Sequence, residues 1–316
     1  MENSKNTQNN LVKRRGIVFL YGFEWCNPNG DPSFENEPRI YEGRVYVTDV
    51  FIKRRIRDYI DSLSKEKLEG KDEKYIIFVK EVVKRDGTRE TPEERVKEIL
   101  NLQKDEYDIK ECENLLKKCW DLRVFGCMIP LPQKEASLKK IGPIQASFGI
   151  SLNNVESLDV SITNVMASKE EAAKGGSIGR KYIVPVAIVE HYIFVNDRAA
   201  MDTGMAEEDY KLLLEALKNL KLSPSASTSS KNITPLLILE VVFNNDKYAN
   251  LFGLISAKER RNPPLSIRDF EIDTQNLFNK IETLLQNKII NSYNLYIKEE
   301  FIDIFRLPEK ISFEKF

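Results

Sequence analysis

The sequence predicts an α+β fold, and three observations carry that prediction. Residues 15–25 alternate, so that Ile17, Phe19, Tyr21, Phe23 and Trp25 share one face by the two-residue period of a strand. Ile52, Ile56, Tyr59, Ile60 and Leu63 instead follow the i, i+4, i+7, i+8, i+11 spacing of a helix with one buried stripe. Residues 182–195 are almost continuously apolar and β-branched, as in a strand covered on both faces. Strands and helices follow one another in a mixed order, neither a regular βαβ alternation nor an all-β sandwich.

Taken in order, the first strand ends at Asn27-Pro28-Asn29-Gly30-Asp31-Pro32, where two prolines and a glycine permit little but a turn. Residues 43–47 form a short extended piece, and Thr48 or Asp49 caps the next helix. At about 100° per residue, Lys53, Arg54 and Arg57 fall well away from that helix's buried stripe, with Arg55 on its border. Residues 64–140 read as a helical insertion of charged texture. Within it a strand is expected over 74–83, a helix opening at Thr91-Pro92-Glu93-Glu94, and a helix over 109–120.

Beyond the insertion, Ile144, Ala146, Phe148 and Ile150 alternate with Gln145, Ser147, Gly149 and Ser151. They predict one half-buried strand whose other face carries small polar groups. Pro185 places the start of the long apolar strand at an edge or a bulge. His191 shares a face with Ala187, Val189 and Ile193, which makes it a core or interface histidine. Residues 206–221 form an amphipathic helix, with Tyr210, Leu213, Leu214, Leu217 and Leu220 inward and charges ordered to suit the helix dipole. A Ser/Pro-rich loop, a strand over 234–243 and a helix over 274–286 follow.

Composition bounds the function. At 316 residues, 41% hydrophobic and 31% charged, the chain suits a soluble protein with a sizeable core. No run approaches the roughly 20 apolar residues of a membrane span, so no membrane partner is expected and the location is cytoplasmic. The Asn-, Ser- and Gln-rich start reads as a disordered tail over residues 1–13, not a signal peptide. Cys26, Cys112, Cys119 and Cys127 lack metal-ligand spacing and read as free thiols; with His191 the only histidine, no metal and no cofactor are expected.

Several enzyme signatures fail on inspection. Gly175 to Lys181 is glycine-rich, but Gly179-Arg180-Lys181 stands where a P-loop needs Gly-Lys-Ser/Thr. Asn27, Asn29 and Asp31 mimic the first ligands of a calcium loop, yet Pro32 and Pro38 occupy the positions of its glycine and bidentate glutamate. A lone His191 without a nucleophile partner does not make a triad. Net charge is −1, but cations cluster at 53–57, 139–140, 180–181 and 258–261, and acids at 66–114 and near the C-terminus. That segregation allows a basic groove on a neutral body.

Asn-Pro-Asn-Gly-Asp-Pro, followed by Thr48-Asp49-Val50 and the Lys53–Arg57 helix, resembles the backbone subunit of type I CRISPR Cascade complexes. This is the Cas-seven family of the RAMP superfamily, here closest to subtype B or C. Asp121-Leu122-Arg123-Val124-Phe125-Gly126, Gly142-Pro143-Ile144-Gln145-Ala146-Ser147-Phe148-Gly149 and Gly175-Gly176-Ser177-Ile178-Gly179-Arg180-Lys181 extend the resemblance in the family's order, over roughly residues 15–220.

The resemblance implies a ferredoxin-like (RRM-like) core over a single domain, 14–316, with the insertion at about 64–140 and a β-hairpin thumb at about 160–181. It implies a non-catalytic subunit that binds CRISPR guide RNA through the sugar-phosphate backbone. Such a subunit packs head-to-tail on copies of itself, joins other Cascade subunits and presents bases to target DNA. Lys53, Arg54, Arg57, Arg180 and Lys181 are the candidate phosphate contacts, and Asn27, Asn29, Gln145 and Ser147 the candidate ribose or phosphate contacts. Met166 and Ile178 are the candidate thumb wedge. Arg123 fits either an RNA contact or a brace. Reversing Lys53 and Arg57 to glutamate is expected to abolish RNA binding with the fold intact. Two other readings stay open: a RAMP-superfamily RNA endonuclease using Asp31, and an assembly protein whose basic helix meets acidic partners.

Overall fold

The computed structural model describes residues 12–67, 75–103, 106–132, 137–164, 177–220 and 232–316. The fold is α+β. Its centre is β1 (Arg15–Cys26), flanked antiparallel by β9 (Ser177–Val195) and β10 (Ile233–Phe243). Outward from β9 lie β7 (Gly149–Ser151), β3 (Arg44–Val47) and β2 (Ile40–Tyr41); outward from β10 lie β13 (Ile290–Ile297) and β15 (Glu314–Lys315). Two further strands, β6 (Ile144–Ala146) and β8 (Leu158–Asn164), pair with opposite ends of β9.

Each face of this sheet has its own core. On one face Ile17, Phe19, Tyr21 and Phe23 of β1 pack beneath α1 (Asp49–Lys67) and α6 (Glu207–Lys218), through Ile52, Ile56, Tyr59 and Ile60 and through Tyr210, Leu213 and Leu217. Both stripes are those the 3.6-residue period predicts. Val12, inside the expected tail, is buried in this core. On the other face Val18 and Leu20 meet the C-terminal quarter: α7 (Gln275–Gln286), and a small sheet of β11 (Ser256–Glu259), β12 (Phe270–Asp273) and β14 (Phe305–Arg306). The long C-terminal segment, which carries no motif, is thus the lid of a second core.

The insertion holds a third cluster. Leu115 and Leu116 of α3 (Ile109–Lys118) pack with Val96 of α2 (Pro92–Leu100), with Leu122 of α4 (Trp120–Phe125), and with Ile129 and Leu138 of the hairpin β4 (Gly126–Pro130) and β5 (Ser137–Ile141). Two expectations here are corrected. Residues 75–83 form isolated bridges and no regular strand, because the Asp121 carboxylate accepts the Phe78 and Val79 N–H groups (2.9 Å each), removing them from any ladder. The helix expected over 109–120 breaks at Cys119, whose extended backbone (φ −97°, ψ 111°) bridges to Ile76 before α4 begins.

A third correction matters more. Residues 144–151 are two strands separated by a bulge. Ala146 faces Ile193 and Ile150 faces Glu190, four steps on one chain against three on β9. The extra residue inverts the alternation. Ser151 becomes fully buried and Phe148, expected inward, turns out to solvent at 51% exposure. Ser147 holds the bulge: its N–H donates to the Tyr192 carbonyl (2.8 Å) and its Oγ accepts the Tyr192 N–H (3.0 Å).

His191 is the core histidine expected, fully buried between the Tyr21 hydroxyl (3.2 Å from Nε2) and the Ser147 carbonyl (3.0 Å from Nδ1). The carbonyl fixes the proton on Nδ1, so the Tyr21 hydroxyl donates to Nε2. Gly149 is required beside it, since a Cβ there would stand 2.2 Å from Nε2.

Burial lowers the His191 pKa to about 4 and raises that of the adjacent Glu190 to about 7. Their linkages oppose. The His191 contribution is complete above its ordinary 6.5 and is lost as pH falls through about 4. That of Glu190, raised above its ordinary 4.5, is complete below that value and is lost as pH rises through about 7. Glu190 accepts the Gly253 N–H, a bond an amide oxygen keeps. Glu190→Gln is therefore expected to match the parent near pH 4.5 and to exceed it by roughly 2–3 kcal/mol at pH 8. Thermal melts at the two pH values check this, and equal shifts at both would refute it.

Candidate nucleic-acid interface

The Asn-Pro-Asn-Gly-Asp-Pro turn is locked from within. Asn27 is buried, and its Nδ2 donates to the Asn36 carbonyl (2.6 Å), closing the loop that follows β1. Asp31 accepts the Ser33 N–H (3.0 Å) through Oδ1 and pairs with Arg39 (2.5 Å) through Oδ2. Asn29 turns the other way: its Oδ1 accepts both the N–H (2.8 Å) and the hydroxyl (3.1 Å) of Thr48. The turn is thereby fastened to the first turn of α1, which explains why the two motifs belong together although about 20 residues separate them.

On α1 the run of cations is less free than its sequence suggests. Lys53 pairs with Asp49 (2.8 Å) and Arg54 with Asp58 (2.9 Å), both one helical turn away. Arg55 is buried with its guanidinium over the Phe51 ring. Arg57, expected on a solvated face, is covered by α4: it pairs with Asp121 (3.1 Å) and lies over the Phe125 ring at 4.8 Å. Asp121 is fully buried and also accepts the two N–H groups named above.

Arg123 of the same block makes a two-pronged pair with Asp209 of α6 (2.8 and 3.1 Å) and donates to the Leu116 and Lys117 carbonyls. Of its two readings, the brace is the one the geometry fits. This block joins the insertion to the core.

The end of α4 borders α1, and the bulge adjoins the end of α4. Phe125 lies beneath Lys53 at 6.0 Å, and the adjoining Gly126 and Gly142 backbones approach so closely that a Cβ on Gly126 would meet the Gly142 nitrogen at 2.4 Å. Gln145, exposed at the start of the bulge, donates Nε2 to the Gly142 carbonyl (2.6 Å). Ser147 is spent on Tyr192, as above, and donates its hydroxyl to the Phe148 carbonyl. Among the candidate polar contacts, Asn29 and Gln145 border the surface, and Asn27 and Ser147 shape it.

β8 and the first part of β9 form an antiparallel ribbon, with Leu158 opposite Ile183 and Asn164 opposite Ser177. Arg180 stands on it, exposed and 3.9 Å from Asp159, and the Tyr182 side chain lies near both Arg180 and Glu37. Glu37 bridges to Asp31, so the ribbon's base stands beside the turn. Lys181 makes no ion pair among the described residues. Ile178 lies opposite Thr163, and Met166 falls outside the described residues.

Sequence reasoning did not single out Arg44, Tyr41 or Tyr46 on β2 and β3, nor the apolar face of the ribbon. Leu158, Val160 and Ile162 alternate along β8 and are all 40% exposed or more. Alternation was readable there, but it does not tell which face lacks a covering layer.

The cysteines are free, and burial raises the thiol pKa of Cys26 to about 12 and of Cys112 to about 11, so both stay protonated. Among the described residues no group of three or more His, Cys, Asp and Glu is placed to hold a metal ion, and no helix is long and apolar enough to cross a membrane.

Comparison with known proteins gives consistent matches. The family model described as "CRISPR-associated protein Cas7" matches residues 13–275. A "CRISPR-associated protein Cas7" of Haloferax volcanii is 25% identical over 300 residues, covering 86% of this chain and 83% of the relative. Among solved structures, a chain of a "CRISPR RNA-guided surveillance complex" superposes with TM-score 0.53 at 14% identity, over 96% of this chain and 94% of that one. A chain of such a complex in a "pre-nicking" state gives TM-score 0.54 at 13% identity, over 96% of each. At these identities the structural likeness speaks for the fold.

Proposed function

The chain belongs to the CRISPR-associated Cas7 family, and on that premise we propose that it is a non-catalytic backbone subunit of a type I CRISPR surveillance complex in the cytoplasm. It binds guide RNA through the sugar-phosphate chain, packs head-to-tail on further copies and other subunits, and leaves bases open to target DNA. The order β10-β1-β9-β7, reached along the path β1–α1–β7–β9–α6–β10, supports reading the core as ferredoxin-like within one domain. The ribbon of β8 and β9 supports reading 160–181 as the thumb, with Met166 and Ile178 as its wedge.

One observation carries the binding surface: Asn29–Thr48 fastens the turn to the start of α1, Gly126 and Gly142 pack α4 against the bulge, and Tyr182 of the thumb base stands near Glu37 of the turn, making one strip. Its cations are exchangeable. A pair such as Lys53–Asp49 or Arg54–Asp58 is worth about 0.3–0.5 kcal/mol on a helix surface, less than a charge-assisted bond to phosphate. Lys181 has no ion pair among the described residues to give up. Arg57 is the exception, since leaving Asp121 would strand a buried carboxylate. Asp31, held by Arg39 and Ser33, supports the turn.

Mass photometry of the protein on single-stranded RNAs of increasing length tests this reading. Bound copies are expected to climb stepwise with length. One copy at every length would reduce the protein to an isolated RNA-binding module, and no binding would leave the assembly-protein reading.

A further inference from the structure

The sheet carries an uncovered aromatic face on the side opposite α1. Val45 and Val47 of β3 point into the first core, so Arg44 and Tyr46 point to the other face. Over β1, β9 and β10 that face is roofed by the C-terminal quarter, but the second core has no member on β2, β3 or β7. What remains is an open cavity of about 540 Å³ lined by Tyr41, Glu42, Arg44, Tyr46, Phe148 and Ile150.

Three features of this cavity point to one kind of ligand. The Tyr46 and Phe148 rings are parallel, with centroids 6.3 Å apart, and Tyr41 beside them is 71% exposed. Flat rings held in register are what a planar base stacks on, and every base has such a face. Arg44 is exposed and makes no ion pair among the described residues, Glu42 included; its only side-chain hydrogen bond among them is from Nη1 to the Ser151 carbonyl (3.3 Å). The α1 cations Lys53, Arg54 and Arg57 have acidic partners, whereas this guanidinium keeps donors for an incoming phosphate. The cavity is also continuous with the strip described above, because Phe148 follows Ser147 in the bulge. The same inserted residue that spends Ser147 on Tyr192 delivers the Phe148 ring to the far face.

We propose that Tyr41, Tyr46 and Phe148, with Arg44, form a nucleotide subsite that stacks an unpaired base of single-stranded nucleic acid and holds its phosphate. This rests on the single-strand-binding reading and extends it around the notch between β6 and β7 to the second face of the sheet. Tyr46 and Phe148 are positioning surfaces for a base and carry no chemistry. Sequence selectivity is not expected, since stacking tolerates any base.

The test is photocrosslinking of the full chain to single-stranded RNA carrying 5-iodouridine at successive positions, with the sites mapped by mass spectrometry. The affinity and melting curve of Phe148→Ala are measured alongside. Crosslinks are expected at Tyr46 or Phe148. Phe148→Ala, which removes an exposed ring, should weaken RNA binding roughly tenfold with an unchanged melting curve.

RNA bound by the parent with crosslinks confined to α1, the turn and the thumb base, and an unaffected Phe148→Ala, would overturn the subsite and leave the RNA-binding reading standing. Failure of the parent to bind RNA would overturn both. Self-association of the RNA-free protein that Phe148→Ala abolishes would assign the cavity to a second copy of the chain, and overturn the subsite likewise.

Discussion

Asp121→Ala is expected to cost about 3–5 kcal/mol of stability, among the largest effects of any single substitution in this chain. The carboxylate is fully buried and serves three donors at once: Arg57 Nε and the Phe78 and Val79 N–H groups. Its loss leaves a guanidinium that is largely buried without its countercharge, and two backbone donors without acceptors. Arg57→Glu should behave in the same way, since it sets two carboxylates against each other under α4. Denaturant melts of both variants and of the double variant Arg57→Met/Asp121→Leu check the assignment. Removing both charges should restore the part of the loss that comes from the stranded guanidinium, the Phe78 and Val79 N–H groups still lacking their acceptor; a double variant as weak as Asp121→Ala would show that the pair is not the cause. The expectation that Arg57 can be reversed with the fold intact is therefore withdrawn on structural grounds, and RNA binding has to be probed at other cations.

Lys53→Glu combined with Lys181→Glu is the variant for that purpose. Both lysines lie on the strip, and neither anchors the fold: Lys53 pairs with Asp49 on its own helix and lies over the Phe125 ring at 6.0 Å, and Lys181 makes no ion pair among the described residues. Affinity for single-stranded RNA is expected to fall about 10- to 100-fold at moderate salt, with melting temperature unchanged. The slope of log affinity against log salt should flatten by about 1.4, two phosphate contacts at about 0.7 each. An unchanged slope would mean that these lysines do not meet phosphate, and would count heavily against the proposed binding strip.

The elements that local periodicity governs were legible in the chain. The stripe of α1, the face of α6 and the alternation of β1 as far as Phe23 stand where the pattern puts them, because each is written in successive residues and decided by burial of one face; Trp25, expected on the same face, is 52% exposed because its backbone turns to positive φ (49°) at the strand's end. Residues 74–83 misled for the same reason. Their pattern is strand-like, but Asp121, some 40 positions later, takes the N–H groups a ladder would need.

Of the candidate site residues, Asn29 was placed correctly beside α1 only as part of a motif; the bond to Thr48 that explains the motif is a tertiary fact. The cations were found by counting charge. Counting does not distinguish Lys53, with a helix-surface partner, from Arg57, with a buried one, because both sit on the same helix at adjoining turns.

The sequence by itself determined the α+β class, the helix stripes, the core histidine and the turn at 27–32, each of which depends on neighbours within a few residues. Tertiary structure alone decided which charges are spent, where the register of residues 144–151 slips, and which sheet face stays open. Those outcomes depend on what packs against a residue from far along the chain. Arg57 is braced because α4 folds over it, Phe148 is exposed because β9 counts three residues against four, and Tyr46 stays partly exposed because the C-terminal roof ends short of β7.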